Sequence, residues 1–387
     1  MEERRMNQKR IRDYGITVGR LETGRRNKIT DVPGVRVGHV TIKNQENHTG
    51  VTVILPGQDN AFVKKYTAAS YVHNGFGKSC GLIQIDELGT LETPIALTNT
   101  LNVGLVWDAL TEYVLEQCRE DGAAARSINP VVGECNDSQI NRIGKRAVSG
   151  EQVLEAIRQA GTDFEEGDVG AGAGTICYGL KGGIGSASRV LEIDGKRYAI
   201  GVLVQSNFGA TADFVLNGIP AGEKILQMIK DSRKTGKGVH KDLAKDAGKK
   251  ALEGLAGNAG QIGQSDLDQG SIMTILATDL PVSDRQLKRI IRRTAVGIAR
   301  TGAYTGHGSG EVMIGFTTAN RVLAEPKEKL LSQTVIHESL INLAFQAAAE
   351  AAHEAILNSM VCAERTAGLD GRIYCSLAEF LPQLFIQ

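Results

Sequence analysis

The segment Asp268-Gln269-Gly270-Ser271-Ile272-Met273-Thr274-Ile275-Leu276-Ala277-Thr278-Asp279 sets the tightest limit on how this chain can fold. From Ile272 to Ala277 only Thr274 interrupts an apolar run, and a short run of that kind reads as a buried strand. Other strand-like runs lie at 35–40 after the Pro33-Gly34 turn, and at 49–55, 81–85, 189–193, 198–205 and 311–318. Between them the apolar spacing changes to three and four residues. Leu105, Val106, Leu110, Tyr113, Val114 and Cys118 make one helical stripe, and Val153, Leu154 and Ile157 a shorter one. A third stripe runs through Leu287, Ile290, Ile291, Ala295, Ile298 and Ala299, with Ser283 or Asp284 placed to cap its helix. An Ala-rich helix is expected at about 337–359. Strands that lead and follow helices in both halves favour an α/β chain built of stacked sheet and helix layers. No internal repeat is visible. Residues 223–250 read as a charged surface helix, and the Gly- and Gln-rich stretch 254–270 as an exposed loop that presents the Gly270-Ser271 bond.

The totals narrow the partners. With 44 Lys+Arg against 44 Asp+Glu, no global charge draws the chain to nucleic acid or to an anionic membrane, so small molecules are the expected partners. No uncharged apolar run approaches the ~20 residues of a membrane span, and residues 1–12 lack a signal-peptide core, which makes the cytoplasm the default compartment. Residues 1–28 read as a basic, solvated surface arm. Six cysteines without a C-x-x-C pair or a histidine at ligand spacing read as reduced thiols, with no metal site and no disulfide framework. No cofactor motif survives inspection. The glycines from Gly167 to Gly185 lead into strands rather than a helix, unlike a dinucleotide loop, and Gly77-Lys78-Ser79 has Val72 where a phosphate loop needs glycine.

Chemistry concentrates at a few positions. A Gly-Ser pair is ordinarily a turn, but one at a loop-to-strand boundary is also a place to cut a chain. Attack of the Ser271 hydroxyl on the Gly270 carbonyl, an N-to-O acyl shift and hydrolysis would leave Ser271 as a new N-terminus. Its α-amine, with an ordinary pKa of about 7.7–8.0, would be a candidate base beside its own hydroxyl. Ser309 and Glu311 are two apart, so in extended backbone they share a face; a carboxylate there can orient a hydroxyl or relay its proton, and the plain alternative is a polar loop end. Neighbouring His307 lies in no recognisable triad motif. Asn207 ends a strand, where its amide can steady an oxyanion or simply form the turn before Gly209. Glu134, followed by Cys135, Asn136 and Asp137, can receive a substrate ammonium group or be a surface turn.

The blocks ITDVPGVRVGHVT, TGVTVILP, PIALTNT, PVVGECND, KGGIGSASR, GVLVQSNFG, GSIMTILATDLP and GSGEVMIGFTTAN occur in this order between about residues 27 and 320. Together they resemble the DmpA/BapA family of self-processing aminopeptidases, the L-aminopeptidase/D-esterases. The resemblance implies a four-layer α/β/β/α sandwich of the DmpA and ornithine acetyltransferase type, similar to Ntn hydrolases but with different connectivity. It implies one domain over 1–387, cut at Gly270-Ser271 into an α chain (1–270) and a β chain (271–387). Ser271 is then the nucleophile of both self-cleavage and hydrolysis, Ser309 and Glu311 its supporting pair, Asn207 the oxyanion donor, and Glu134 the acid that binds the substrate amine. Asn136 stands where some members carry tyrosine, which touches the shape of the acyl pocket. The implied substrates are short peptides or amino-acid amides and esters with a free amine. The implied assembly is a tetramer of processed units, with no cofactor or metal. Two alternatives stand beside it: an ornithine-type acetyltransferase, which generally cleaves at threonine, and a catalytically silent binding protein on the same fold.

Overall fold

In the computed structural model of this protein, residues 8–235, 270–326 and 328–385 are described; the expected loop, apart from Gly270, and the second half of the charged helix fall outside them. In chain order come β1 (Arg36–Lys43), β2 (His48–Leu55), β3 (Lys64–Gly75), α1 (Leu82–Leu88), β4 (Thr90–Leu91), β5 (Ile95–Asn99), α2 (Val103–Glu120), β6 (Val131–Cys135) and α3 (Gly150–Arg158). Then follow β7 (Ile176–Cys177), β8 (Leu180–Lys181), β9 (Gly183–Ile193), β10 (Lys196–Phe208), α4 (Ala221–Thr235), β11 (Gly270–Thr278), α5 (Asp284–Ile291), α6 (Thr294–Arg300), β12 (Ser309–Leu323) and α7 (Ile341–Val361).

Two sheets carry the molecule, one of four strands in the order β1-β2-β5-β6 and one of six in the order β4-β3-β12-β11-β10-β9. Three apolar layers bind them together. Val53, Ala96 and Val132 of the smaller sheet pack on Val106 and Leu110 of α2 and Val153 of α3. Ile54, Leu97 and Val131 meet Leu203, Met273, Ile275 and Ile314 between the sheets. Val202, Ile272, Leu276 and Met313 pack outward on Ala348 and Ala352 of α7. Three apolar layers separate four layers of structure, and the order is α/β/β/α. The strand β11 lies inside the larger sheet, antiparallel to β10 and parallel to β12. Its alternate residues therefore enter two different cores, which is why the run Ile272–Ala277 lacks a polar face. Each fully buried Ile or Leu in it is worth about 1.5–3 kcal/mol.

Several expectations change. Residues 81–85 do not form a strand but the start of α1, entered through Gly81 and ended by Gly89, both at positive φ. Burial there is one-sided, Ile85 being enclosed while Ile83 is 89% exposed, which a one-turn contact satisfies. The third helical stripe is two helices, α5 capped by Ser283 through the Gln286 N–H, and α6, with the break at Arg292 and Arg293. The described part of the N-terminal arm is docked rather than solvated. Ile11, Ile16 and Val18 are buried, Arg10 pairs with Glu166 at 2.7 Å, and Arg12 with Glu354 at 2.6 Å. Arginines that read as a solvated arm have buried partners more than a hundred residues away, and local sequence carries no trace of them.

Candidate active site

Ser271 is the second residue of β11, with Asn207 opposite it on β10 and Gly310 beside it on β12. Alternation along β11 places its side chain on the face of Met273, Ile275 and Ala277, which looks into the space between the sheets. Gln205 and Asn207 share that face of β10, and Gln205 Nε2 ties the sheets by donating to Thr98 O at 3.1 Å and Ala171 O at 2.8 Å. The Ser271 hydroxyl thus stands at the end of the inter-sheet space, in a residue only 7% exposed. Glycine is needed on either side of it. Gly270 has φ +114°, which other residues rarely adopt, and a Cβ there would strike the Asn207 carbonyl oxygen. A Cβ on Gly310 would strike Phe76 O and lie 3.1 Å from Ser271 Oγ.

The neighbouring groups are held by the ends of strands. Asn207 Oδ1 accepts the Ile176 N–H at 2.9 Å, which fixes the amide and leaves its NH2 as the end that can donate to a ligand. Ser309 Oγ lies 2.6 Å from Glu311 Oε1 and 2.9 Å from Gly306 O, so the two residues do share a face. Asn74 Nδ2 steadies their loop by donating to Gly306 O at 3.0 Å and to Ser309 O. In the β11/β12 register Ser309 is the partner of Gly270 and Glu311 that of Ile272, so the pair brackets the Gly310 that faces Ser271.

Glu134 comes from the other sheet. It is buried near the end of β6, where Oε1 accepts the Lys78 N–H at 2.8 Å and Oε2 accepts from Thr100 Oγ1. The next residue, Cys135, donates its thiol toward Ser271 O and Gln205 O, both at 3.4 Å, and so joins β6 to the backbone of β11 and β10. Burial pushes the Cys135 thiol well above its usual pKa, which keeps it a donor and not a nucleophile. The segment after β3 closes the gap, since Phe76 O abuts Gly310 while the Lys78 N–H holds Glu134. Two Cα steps, at most about 7.6 Å, separate those two anchors along the chain. Asn136 is exposed and its Oδ1 accepts the Ser138 N–H at 3.0 Å, so its present contact is a local turn at the rim. Asp137 beneath it is pushed up to about 6 by burial, against hydrogen bonds from Thr49, Asn141 and Asn99.

The structure therefore places Asn207, Ser271, Ser309 and Glu311 at adjoining strand ends, with Ser309 and Glu311 alternating to the face of β12 opposite the one Gly310 turns to Ser271, and brings Glu134 in from the facing sheet. Sequence reasoning missed the partners that fix them: Asn74, Lys78, Thr100 and Ile176. Gly77-Lys78-Ser79 was weighed and rejected as a phosphate loop rather than read as backbone reaching across a site, and Thr100 appeared only as the end of the block PIALTNT.

A serine at the head of the central strand of an α/β/β/α sandwich, with an amide donor opposite and a buried carboxylate across the space, matches the class of serine aminopeptidases on an Ntn-hydrolase-like fold. The chain belongs to peptidase family S58, whose profile matches residues 27–374. It is 34% identical over 373 residues to the β-peptidyl aminopeptidase BapA of Sphingosinicella microcystinivorans, covering 94% of this chain and 88% of that one. The L-aminopeptidase D-Ala-esterase/amidase of Ochrobactrum anthropi, a serine aminopeptidase described as a variant of the Ntn-hydrolase fold, superposes with a TM-score of 0.80 at 30% identity, over 96% of both chains. A crystal structure of a Pyrococcus horikoshii protein superposes with a TM-score of 0.82 at 41% identity, over 97% of this chain and 98% of that one. The protein is accordingly a serine-type aminopeptidase, and the acetyltransferase alternative is not favoured. No helix among the described residues is long and apolar enough to cross a membrane.

Proposed function

We propose that this chain is made as a precursor that cuts itself between Gly270 and Ser271 and then works as an N-terminal-serine aminopeptidase. The observation that carries the reading is the register Asn207–Ser271–Gly310, with Gly270 held at φ +114°, a backbone conformation that glycine adopts and other residues rarely do. In self-cleavage Ser271 Oγ attacks the Gly270 carbonyl carbon, its proton passes to the departing Ser271 nitrogen, and water hydrolyses the resulting ester. Residues 1–270 and 271–387 stay one folded unit because β11 remains bonded between β10 of the first piece and β12 of the second. Ser309 is the register partner of Gly270, so once that residue is released the Ser309–Glu311 pair adjoins the new α-amine.

In turnover Glu134 receives the substrate ammonium group and Ser271 Oγ attacks the first carbonyl. The Asn207 NH2 steadies the oxyanion, a contribution of about 2.7–4 kcal/mol for one well-placed donor. The leaving amine takes a proton, and water then releases the acyl group from Ser271. Either the Ser271 amine or Ser309 backed by Glu311 accepts the hydroxyl proton. Asn136 edges the acyl pocket. The substrates are short peptides, amides or esters with a free amine, and the names of the relatives make β-peptides and D-alanyl esters and amides the first to assay. We also place the enzyme in the cytoplasm as a homo-oligomer, a tetramer of processed units, which light scattering on purified enzyme checks directly.

The test is intact mass with N-terminal sequencing. Wild-type protein yields two fragments, the smaller beginning at Ser271, and Ser271→Ala yields one uncut, inactive chain. The same two fragments from Ser271→Ala would remove the reading.

A further inference from the structure

Lys181 is wholly buried, and its Nζ donates to Thr175 O at 2.7 Å, Gly182 O at 2.9 Å and Gly172 O at 3.0 Å. Three acceptors around one nitrogen match the three donors of an ammonium group and leave none for its lone pair. The Thr175 carbonyl belongs to the same peptide unit as the Ile176 N–H, which donates to Asn207 Oδ1. One rigid amide plane therefore joins the lysine to Asn207, the residue that faces Ser271. We propose that Lys181 is a positioning residue for the oxyanion site, polarising the Thr175–Ile176 peptide so that its N–H pulls on Asn207 Oδ1 and strengthens the NH2 donors at the other end of that amide. Hydrogen bonds in series polarise one another, and a low-dielectric surrounding increases the effect. The inference rests on Asn207 being the oxyanion donor. The charge is held against a cost, because burial pushes Lys181 down from 10.5 to about 7, with Asp168 opposing and Lys43 adding to the fall.

The experiment is a double-mutant cycle between Lys181→Met and Asn207→Ala, with turnover normalised to the fraction of chain that begins at Ser271. Asn207→Ala alone tests the underlying reading: an unchanged kcat would sink both that reading and this inference. With Asn207 present, Lys181→Met is expected to lower kcat by roughly tenfold, less than loss of a donor itself, and to leave KM within about twofold. Added to Asn207→Ala it should do nothing further, because the relay has lost its far end. Equal losses in the two backgrounds, or a loss confined to KM, would mean a structural plug and overturn the inference while leaving Asn207 in its role. Should Lys181→Met fail to accumulate folded, Lys181→Gln keeps two donors without the charge and goes through the same cycle. The wild-type enzyme gives an independent answer by NMR. The Ile176 amide and the Asn207 side-chain amide should shift with the same midpoint as Lys181 Nζ, and not with Asp168, Lys43, Asp137, Cys177 or His48, the titratable groups that surround the lysine. Amide signals that stay still while Lys181 titrates would overturn it.

Discussion

At Ser271 the space around the hydroxyl is set by what its neighbours lack. Gly310 has no Cβ, and one placed there would meet Phe76 O and crowd Ser271 Oγ at 3.1 Å. Gly310→Ala must push the 75–78 segment away or turn the hydroxyl, and a misplacement of about 1 Å costs on the order of a hundredfold in rate. The expected result is a folded protein whose kcat falls by about that factor, with self-cleavage slowed in the same variant; full activity would show that the segment yields freely. Glu134 makes a different demand. Its two oxygens already accept from the Lys78 N–H and Thr100 Oγ1, and Gln can serve both, its oxygen toward Lys78 and its NH2 toward Thr100. Glu134→Gln should therefore keep the shape and remove only the charge offered to a substrate ammonium. A charge-assisted hydrogen bond is worth about 1.5–3 kcal/mol, so KM for free-amine substrates should rise by roughly ten- to a hundredfold. Loss of kcat with KM unchanged would take Glu134 out of amine recognition.

At the level of elements, α7 lies so close to β9 that a Cβ on Gly185 would collide with Ala355 O and approach Ser359 N to 2.5 Å. The alanines Ala344, Ala347, Ala348, Ala351, Ala352 and Ala355 are fully enclosed along the same helix. Gly185→Ala should destabilise the protein by about 1–3 kcal/mol through overpacking, read as a lower urea midpoint with the site chemistry retained. An unchanged midpoint would mean that the helix shifts without cost. This close layer shows where sequence was informative. The even spacing in α2 and α3, the unbroken run of β11 and the long alanine helix all declare themselves, because each element's burial is periodic within its own residues. That Ser271, Asn207, Glu134 and the Ser309–Glu311 pair lie at strand ends was legible because turn residues and ordered blocks mark those positions. The strand β3 was missed because its buried centre, Tyr66 to Ser70, is made of small or polar residues that alternate in no simple way. The partners Asn74, Lys78, Thr100 and Ile176 were missed because they act largely through backbone groups or strand-end contacts whose position only the assembled sheets define.

Across the whole molecule, acid stability is set by buried groups that pull in opposite directions. His353 on α7 is pushed down from 6.5 to about 4 by burial and then by Arg300, with Arg189 adding and Glu354 opposing. It sits against the next helix, since a Cβ on Gly297 of α6 would lie 2.7 Å from its backbone nitrogen. In the folded chain it stays neutral until about pH 4, whereas the unfolded chain takes up the proton near 6.5. The unfolded state therefore binds more protons in that window, so stability falls as pH drops through it, by roughly 3 kcal/mol in total. Asp137 has the opposite sign. Its folded carboxyl holds a proton up to about 6 against 3.8 unfolded, so the folded state binds more protons there and stability falls as pH rises from 3.8 to 6. Measured by urea unfolding in the Ser271→Ala background, His353→Gln should gain on its parent as pH is lowered from about 7 to 4, and Asp137→Asn should lose on it over the same range. The two difference curves should cross the window with opposite slopes of similar size. Parallel curves for parent and His353→Gln would mean that the imidazole reaches water or a carboxylate when protonated. The layer between α6 and α7 would then be looser than the backbone contact at Gly297 allows.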